Sequence, residues 1–516
     1  MEKIPAEKKE KKPFINCFLD GVERACNKLP PPAILFVWLF VFIAILSAVL
    51  SWSGISSVNP ATNEKVVINN LFTKNGLQWF LGNLITNFTS FAPLGLVVAL
   101  SIGIGICENS GLITTLLHSS LRKVPASLVA YAVSFIAVCS NIASDTAIIV
   151  LPPLAAVLYM SIGKNPIVGM INAYAGAQAG FTANIMIAGT DATLAGITNS
   201  AIAGFLPDSV ITADITGNWY FMIASTFMCT FVIALLCEKV VAPRFGIYKG
   251  NNEEMHVIVG AKEQKGLRAA GIAALIFIVL VLISFFTGLT SGEDGAFIGS
   301  PLLKNITAVL FLFFVTVGLA YGFAAKKFQS SKDVNASMIE ACKTLASFIL
   351  FCFVCGQFNG LFKWSNLGTL LAIGGANFLQ KIGFTGMGMC VVFILISALI
   401  NIIVYSGSAK WAIFAPVFVP MFMLLGYHPS FAQLLYRIGD SPVDCLTPMC
   451  PYIWILLDTA RSKYDPELSI GTIVSSMVPI AVVLQIVWII FLLIWMWIGL
   501  PIGPGVDIML PSGILG

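Results

Sequence analysis

The chain has 516 residues, of which 58% are hydrophobic and only 10% are charged. Soluble domains carry about 25% charged residues, so this composition excludes an ordinary soluble globular protein. The net charge of +4 is too small to indicate a nucleic-acid partner. Because the apolar runs are each about 20 residues long, we expect an all-α polytopic membrane protein that lies in a lipid bilayer, rather than a barrel of strands.

Residues 1–32 are polar and are predicted to form a cytoplasmic N-terminal arm. The first apolar run, near 33–53, is too long for a cleaved signal peptide and is interpreted as the first transmembrane helix. Nine full spans are predicted in all, near 33–53, 84–106, 167–190, 218–238, 269–290, 305–325, 341–360, 430–458 and 473–499.

Two further apolar regions, 125–163 and 386–426, are interrupted by polar residues. The first interruption begins at Ser140 and Asn141, and the second contains Ser406, Ser408 and Lys410. Polar residues at membrane depth are costly and usually mark a substrate or ion path. We therefore interpret both regions as re-entrant helical hairpins whose tips hold these residues.

The distribution of Lys and Arg predicts the orientation. Most of the 29 basic residues fall on the cytoplasmic side when the N-terminus is placed in the cytoplasm, as the positive-inside rule requires. Since no Lys or Arg lies between Lys164 and Lys239, the segment 191–217 is predicted to be an external loop. The first half, 33–240, and the second half, 269–516, are then inverted around a cytoplasmic linker, 241–268, as in alternating-access transporters.

The two halves can be superimposed in sequence without a gap. A constant shift of 263 residues places Gly163 on Gly426 and Pro166 on Pro429, and it also aligns the two hairpin tips. The agreement falls on residues that punctuate the backbone, which supports an inverted repeat.

The span after each hairpin is predicted to be broken. The first is 167–190, and the second is 430–458, which contains Gly439, Pro442 and Pro448. Proline removes a backbone donor, and broken helices at membrane depth are tolerated only where they line a cavity or are buried in protein. We therefore expect the binding site at these breaks.

Arg437, Asp440 and Asp444 place three ionisable residues within eight positions of the second broken span. One interpretation is an internal ion pair between Arg437 and Asp440, which are three residues apart on one helix. The other is functional: the guanidinium fork of Arg437 holds a substrate carboxylate, and Asp440 carries a proton. Asp444 is a third candidate in ion coupling.

Four further residues are candidates with two interpretations each. Asp191 is either a plain loop residue or a proton-relay carboxylate. Asp145 either caps the second limb of its hairpin or takes part in ion coupling. Trp411 is either a packing residue or an aromatic wall of the substrate site, and Lys410 is expected to balance a nearby acid.

The coupling ion remains open at this stage. Ser408, Asn141 and carbonyl groups at the hairpin tips are suitable ligands for Na⁺, whereas the carboxylates suit H⁺. No cofactor other than this ion is expected. Neither a metal site nor a nucleotide-binding loop is expected, because the histidines are isolated and there is no Walker motif.

Several motifs resemble the AbgT family of p-aminobenzoyl-glutamate transporters. They include Ser406–Ala412, Tyr436–Ser441, Gly189–Gly196 and Gly499–Gly505, and the resemblance covers essentially the whole chain. It implies a homodimeric multi-pass transporter of the bacterial inner membrane, with nine spans and two hairpins per subunit. It also implies p-aminobenzoyl-glutamate as substrate and, for some members, export of sulfonamide antimetabolites.

Carried over by motif, the resemblance names the following functional residues: Asp191, Ser408, Trp411, Pro429, Arg437, Asp440 and Pro448. The chain departs from the family pattern at Val443 and Asp444, where Thr-Asn is common, and Asp444 adds a negative charge beside the site. Ser144-Asp145 stands where some members have Glu, which keeps the charge.

The expected function is cation-coupled transport of p-aminobenzoyl-glutamate-type aromatic carboxylates, with export of sulfonamides as an extension. The rival within the same class is a Na⁺-coupled uptake carrier for other organic anions. An ion channel is the rival from a different class, and two inverted, blocked half-pores argue against it. An enzyme is not expected, because no nucleophile–base pair is visible.

Overall fold

The computed structural model describes residues 32–58, 65–121, 125–207, 210–246, 248, 260–292, 300–402, 406–447 and 450–511. These residues are largely helical, so the predicted all-α architecture is confirmed. Two three-residue strands, Ser56–Val58 (β1) and Lys65–Val67 (β2), pair antiparallel beside the first helix.

Ten helices are described up to residue 245. They are α1 Pro32–Trp52, α2 Lys74–Thr89, α3 Ala92–Ser110, α4 Leu112–Leu121, α5 Val129–Cys139, α6 Ser144–Ser161, α7 Pro166–Ala179, α8 Gly189–Phe205, α9 Trp219–Leu236 and α10 Ala242–Phe245. Short 3₁₀ turns precede α5 and α6, and a π-helical turn joins α9 to α10.

Eleven helices are described from residue 261 onward. They are α11 Ala261–Phe286, α12 Pro301–Lys304, α13 Ile306–Ala324, α14 Ser331–Thr344, α15 Ala346–Trp364, α16 Leu367–Lys381, α17 Met387–Asn401, α18 Gly407–Leu424, α19 Pro429–Asp444, α20 Pro451–Lys463 and α21 Ile470–Ile498.

Six helices among the described residues are long and apolar enough to cross a membrane. The apolar surface of α11 is largely exposed, as Leu275, Leu280 and Phe286 show. Large exposed apolar side chains along a whole helix suit contact with lipid rather than water. The predicted number of nine spans is not decided by helix length and stays a prediction.

Each predicted hairpin has two helical limbs separated by a break. Helices α5 and α6 form the first, and α17 and α18 form the second. The shift of 263 residues carries the bounds of α6, 144–161, onto those of α18, 407–424. Gly163 and Gly426 follow these helices with φ of +74° and +87°, a left-handed turn that glycine adopts without strain.

The repeat extends from sequence into packing. Gly176 of α7 lies so close to α5 that an added Cβ would overlap Ala137, and Gly439 of α19 is equally close to Ile394 of α17. These are the same positions of the two halves, since Gly176 and Gly439 are 263 residues apart. Each broken span therefore packs on the first limb of its own hairpin through one glycine. The inverted membrane orientation of the halves stays a prediction.

The prediction that 191–217 is an external loop is wrong for the first part of this segment. Residues 189–205 form α8, which is mostly buried and packs on α18 and α3. The first broken span thus continues to Phe205 instead of ending at 190. Hydropathy missed α8 because its small polar residues contact other helices and not lipid.

Two other boundaries differ from the prediction. The expected span 84–106 is divided, because α2 ends before Ser90 and α3 begins at Ala92 with Pro93 in its first turn, where a missing N–H is harmless. Helix α16, at 367–381, was not predicted. It packs on α18, so it faces protein and needs no long apolar run.

His428, in the turn between α18 and α19, gives a testable pH dependence. Its Nδ1 accepts a hydrogen bond from the Ser430 N–H at 3.2 Å, and burial lowers the pKa of the imidazole to about 4. The unfolded chain binds a proton near pH 6.5, so the free energy of unfolding falls as pH drops from 7 to 5, by about 2 kcal/mol from this group.

His428→Asn should remove this loss and keep the helix cap, because Asn165, its counterpart in the first half, accepts from the Ile167 N–H at 3.0 Å. The measurement is thermal unfolding of the detergent-solubilised protein at pH 7 and pH 5. Equal changes of the unfolding temperature between pH 7 and pH 5 in the variant and in wild type would contradict the assignment of this pH dependence to His428.

Candidate functional site

The two broken spans meet inside the protein. Thr182, in the segment between α7 and α8, lies against α19: its Oγ1 is 2.5 Å from Ser441 Oγ, and its N–H donates to the same oxygen at 3.2 Å. Thr182 Oγ1 also donates to the backbone oxygen of Arg437 at 3.4 Å. One backbone N–H of the first break is therefore satisfied by the second broken span, as expected for a break at membrane depth.

Pro442 does not end α19, although it was expected to break it. Because proline lacks an N–H, the carbonyl of Ile438, four residues earlier, loses its donor in the helix. Gln485 of α21 donates to this carbonyl through Nε2 at 3.0 Å. Helix α19 consequently continues to Asp444, and the break follows it, between Cys445 and Cys450.

Asp191 and Arg437 form an ion pair across the crossing. Arg437 Nη1 lies 2.6 Å from Asp191 Oδ1, and Asp191 Oδ2 accepts from the Ala188 N–H at 2.7 Å. Asp191 thus caps the start of α8, where a carboxylate is favourable, and holds α8 to α19. It is not a plain loop residue.

The guanidinium of Arg437 is 1% exposed, and its Nε has no hydrogen-bond partner among the described residues. A buried donor without an acceptor is costly. The fork of Arg437 therefore retains capacity for a further acceptor beside Asp191.

The alternative of an internal pair between Arg437 and Asp440 is wrong for this structure. Asp440 instead pairs with Lys410 of α18, and the two side chains are 3% and 1% exposed. The expectation that Lys410 balances a nearby acid is confirmed. This second ion pair ties the beginning of α18 to α19.

Asn401, the last residue of α17, connects the second ion pair to Asp444. Its Oδ1 accepts from Lys410 Nζ, and its Nδ2 donates to Asp444 Oδ1 at 2.8 Å. Asp191, Asp440 and Asp444 are thus three carboxylates near two cations. Asp444 is 4% exposed and has no cationic partner of its own among the described residues.

Trp411 lies inside the protein. Its indole stacks on Tyr436 at 4.8 Å between ring centroids, and its Nε1 donates to Thr198 Oγ1 at 2.9 Å. Thr198 donates to Gln433 Oε1 at 2.8 Å, and the Tyr436 hydroxyl donates to the Gly407 carbonyl at 2.6 Å. These contacts join α18, α19 and α8, and direct contact of Trp411 with substrate stays a prediction.

The remaining predicted residues are distributed around this centre. Ser408 is half-buried at the start of α18, with its Oγ 3.5 Å from Ser406 Oγ. Pro429 begins α19, two helical turns before Arg437. Pro448 lies outside the described residues. Ser408 follows Gly407, which lies beside the Asp440 carboxylate, whereas Pro429 lies at the far end of its helix.

The first hairpin tip contacts the first break. Asn141 donates through Nδ2 to the carbonyls of Val138 at 2.9 Å and Gly180 at 3.3 Å. Its Oδ1 is buried without a partner among the described residues. Asp145 is the second residue of α6, and its side chain lies outside the described part of the structure. Ion coupling by either residue stays a prediction.

A cavity lies next to the first ion pair. It is lined by the following residues: Asn184, Met186, Ile187, Asp191, Ile215, Asn218, Trp219 and Met222. It contains about 220 Å³ of empty space, part of it open to solvent. One side of the Asp191–Arg437 pair therefore faces a space that a small ligand group or water can enter.

Sequence reasoning missed four polar residues of this site. Asn401, Thr198, Gln433 and Asn184 are all buried in the structure. Asn401 had a recognisable signal, since it is a polar residue at the end of an apolar limb. Thr198 and Asn184 lay in segments predicted as loop or break, where polar residues are ordinary.

Comparison with known proteins agrees with the resemblance seen in the sequence. A family model described as the AbgT putative transporter family matches residues 17–510. The p-aminobenzoyl-glutamate transport protein of Escherichia coli (strain K12) is 39% identical over 488 residues, which cover 94% of this chain and 96% of that protein.

Two solved structures are similar over nearly their full length. The YdaH transporter of Alcanivorax borkumensis has a TM-score of 0.87 and 33% identity, covering 92% of this chain and all of that one. MtrF of Neisseria gonorrhoeae, described as illuminating a class of antimetabolite efflux pumps, has a TM-score of 0.88 and 37% identity, covering 95% of this chain and all of that one.

Proposed function

Because the chain belongs to the AbgT putative transporter family, we propose that it transports p-aminobenzoyl-glutamate and related aromatic carboxylates by cation-coupled alternating access. The family is one of multi-pass membrane transporters, and the chain is not an enzyme.

The single observation that carries the proposal is the ion pair between Arg437 and Asp191 at the crossing of the broken spans. Arg437 is the right group for a carboxylate substrate, since its planar fork binds two oxygens at once. Its partner Asp191 lies on a different helix and borders the cavity. Because Asp191 lies on α8, a substrate carboxylate that replaces it on Arg437 leaves α19 in place.

This replacement links substrate binding to a cation. Once Arg437 holds the substrate, the Asp191 carboxylate has lost its positive partner in a desolvated place and is stabilised by taking up H⁺ or Na⁺. Release of the substrate restores the ion pair and expels the cation. Binding of the substrate and binding of the cation are then coupled, because both depend on the Asp191 carboxylate.

The second ion pair supports movement of the second hairpin. Lys410 lies one helical turn from the start of α18, and its partner Asp440 lies on α19. Loss of this ion pair would loosen α18 from α19. We place the hinge of alternating access at this contact, between the hairpin and the broken span.

The proposal includes a homodimer in the bacterial inner membrane with the N-terminus in the cytoplasm. The exposed apolar side chains of α11 suit a lipid or subunit contact, and the distribution of basic residues supports the orientation. Export of sulfonamides is included, because MtrF is described with antimetabolite efflux pumps.

The test is flux of radiolabelled p-aminobenzoyl-glutamate in proteoliposomes with an imposed pH or Na⁺ gradient. We expect uptake above a control without protein, driven by one gradient and abolished when it is collapsed. Absence of gradient-driven flux under both conditions would exclude the proposed function.

Two rivals make different predictions in the same vesicles. A Na⁺-coupled carrier for other organic anions would move dicarboxylates but would not be inhibited by p-aminobenzoyl-glutamate. An ion channel would show unitary currents in a planar bilayer, whereas a carrier with the paired site described above should show none.

A further inference from the structure

The cavity beside Asp191 contains a polar group that the exchange at Arg437 does not use. Asn184 is 6% exposed and lines this cavity. Its Oδ1 accepts from the Met186 N–H at 3.3 Å, but its Nδ2 has no hydrogen-bond partner among the described residues. A buried donor that forms no hydrogen bond costs about 1–3 kcal/mol. We therefore expect an acceptor from outside the chain at this position.

The size of the space limits what this acceptor is. The enclosed part of the cavity is small, with a volume of about 10 Å³. This is room for about one water molecule. A single oxygen atom of a larger molecule fits the same space, whereas a whole aromatic ring does not.

The charge of the lining decides which kind of oxygen is accepted. Asp191 borders the cavity, but Arg437 does not, and Ile187, Ile215 and Met222 supply apolar walls. A carboxylate oxygen at this place would meet the negative charge of Asp191 in a poorly hydrated environment. A neutral oxygen, such as that of an amide or a sulfonyl group, accepts the hydrogen bond without this repulsion.

We propose that Asn184 is a specificity-determining residue whose Nδ2 donates to the neutral acceptor oxygen of the substrate. This inference rests on the proposed function and divides recognition between two residues: Arg437 binds the carboxylate, and Asn184 binds the amide carbonyl. Sulfonamides lack the carboxylate, but they carry a sulfonyl oxygen on the same 4-aminophenyl ring. Asn184 is then the contact that the two substrate classes share.

The test is equilibrium binding to the full-length solubilised protein of p-aminobenzoyl-glutamate and of its thioamide analogue, in which sulfur replaces the amide oxygen. Sulfur is a weak acceptor, so wild type should bind the amide about 5- to 10-fold more tightly, the usual effect of one hydrogen bond. Asn184→Leu, which keeps the side-chain shape, should lose this preference and bind both compounds equally.

Met222→Ala is the matched control, because Met222 lines the same cavity without a polar contact. It should change both affinities together and keep the preference for the amide. Asn184→Ala serves as a second variant and should also bind both compounds equally.

Equal affinity of wild type for the amide and the thioamide would overturn the proposal and indicate that only water occupies the cavity. Retention of the preference in Asn184→Leu would overturn it too. If both Asn184 variants fail to fold, the wild-type ratio decides. If wild type binds neither compound, the proposed function fails. This result differs from the results above, which overturn only the role of Asn184.

Discussion

Arg437→Ala should lower the initial rate of p-aminobenzoyl-glutamate flux by about 100-fold or more. The loss has two sources, because the variant removes the carboxylate ligand and leaves Asp191 without its positive partner. Removing one member of a buried charged pair costs about 2–5 kcal/mol. The measurement is gradient-driven flux in proteoliposomes, normalised to the amount of folded protein.

Two companion variants separate charge from geometry. Arg437→Lys keeps the charge but loses the planar fork, and it should be intermediate between wild type and Arg437→Ala. Asp191→Asn should strengthen substrate binding, because it removes the carboxylate that competes with the substrate for Arg437. We expect tighter binding of the substrate together with a loss of coupled flux.

Full flux in Arg437→Ala would refute the role of this residue as the carboxylate ligand. Unchanged affinity in Asp191→Asn would refute the exchange of partners, even if Arg437 binds the substrate. The two results are independent, so the ligand and the exchange are tested one at a time.

Lys410→Met should destabilise the protein by about 3–5 kcal/mol, the usual cost of leaving a buried charge unpaired. Lys410 is 1% exposed and lies near Asp440 and, through Asn401, near Asp444. Without its ammonium group the two carboxylates share an apolar environment with no cation. Thermal unfolding in detergent and the yield of monodisperse protein measure this effect.

The double variant Lys410→Met/Asp440→Asn should recover most of the lost stability, because it removes the unpaired charge together with its partner. Lys343→Met is the matched surface control. Lys343 pairs with Glu340 at 2.8 Å, but both side chains are exposed, so this change should alter stability by less than about 1 kcal/mol. Equal effects of Lys410→Met and Lys343→Met would contradict a buried structural role for Lys410.

Asp444 is the residue at which the sequence is predicted to depart from the family pattern. It is bonded to Asn401 and adds a third carboxylate near two cations. A proton or a metal cation would neutralise its charge, so we propose a role for it in ion coupling rather than in holding the substrate carboxylate. The comparison of H⁺ and Na⁺ gradients for wild type and Asp444→Asn tests this point directly.

The sequence predicted those features of the helices that depend on the backbone properties of proline and glycine. The two apolar hairpin regions and the turns at Gly163 and Gly426 follow from proline, glycine and apolar length. The position of the break in the second broken span does not, because it follows Asp444 and not Pro442. These signals are local, because they act on the residue that carries them or on its helical neighbours. Helix α8 escaped prediction because it is buried in protein, where small polar residues are as acceptable as apolar ones.

The sequence by itself determined that this protein is a polytopic helical membrane protein. It also predicted two polar hairpin tips, two broken spans and an internal repeat. Only the tertiary structure decided which charges meet. Arg437 pairs with Asp191 on another helix and not with Asp440 three residues away, and Asp440 pairs with Lys410. Sequence spacing reveals neighbours within one helix, whereas a buried charge is stabilised by whichever opposite charge the packing of helices brings within reach.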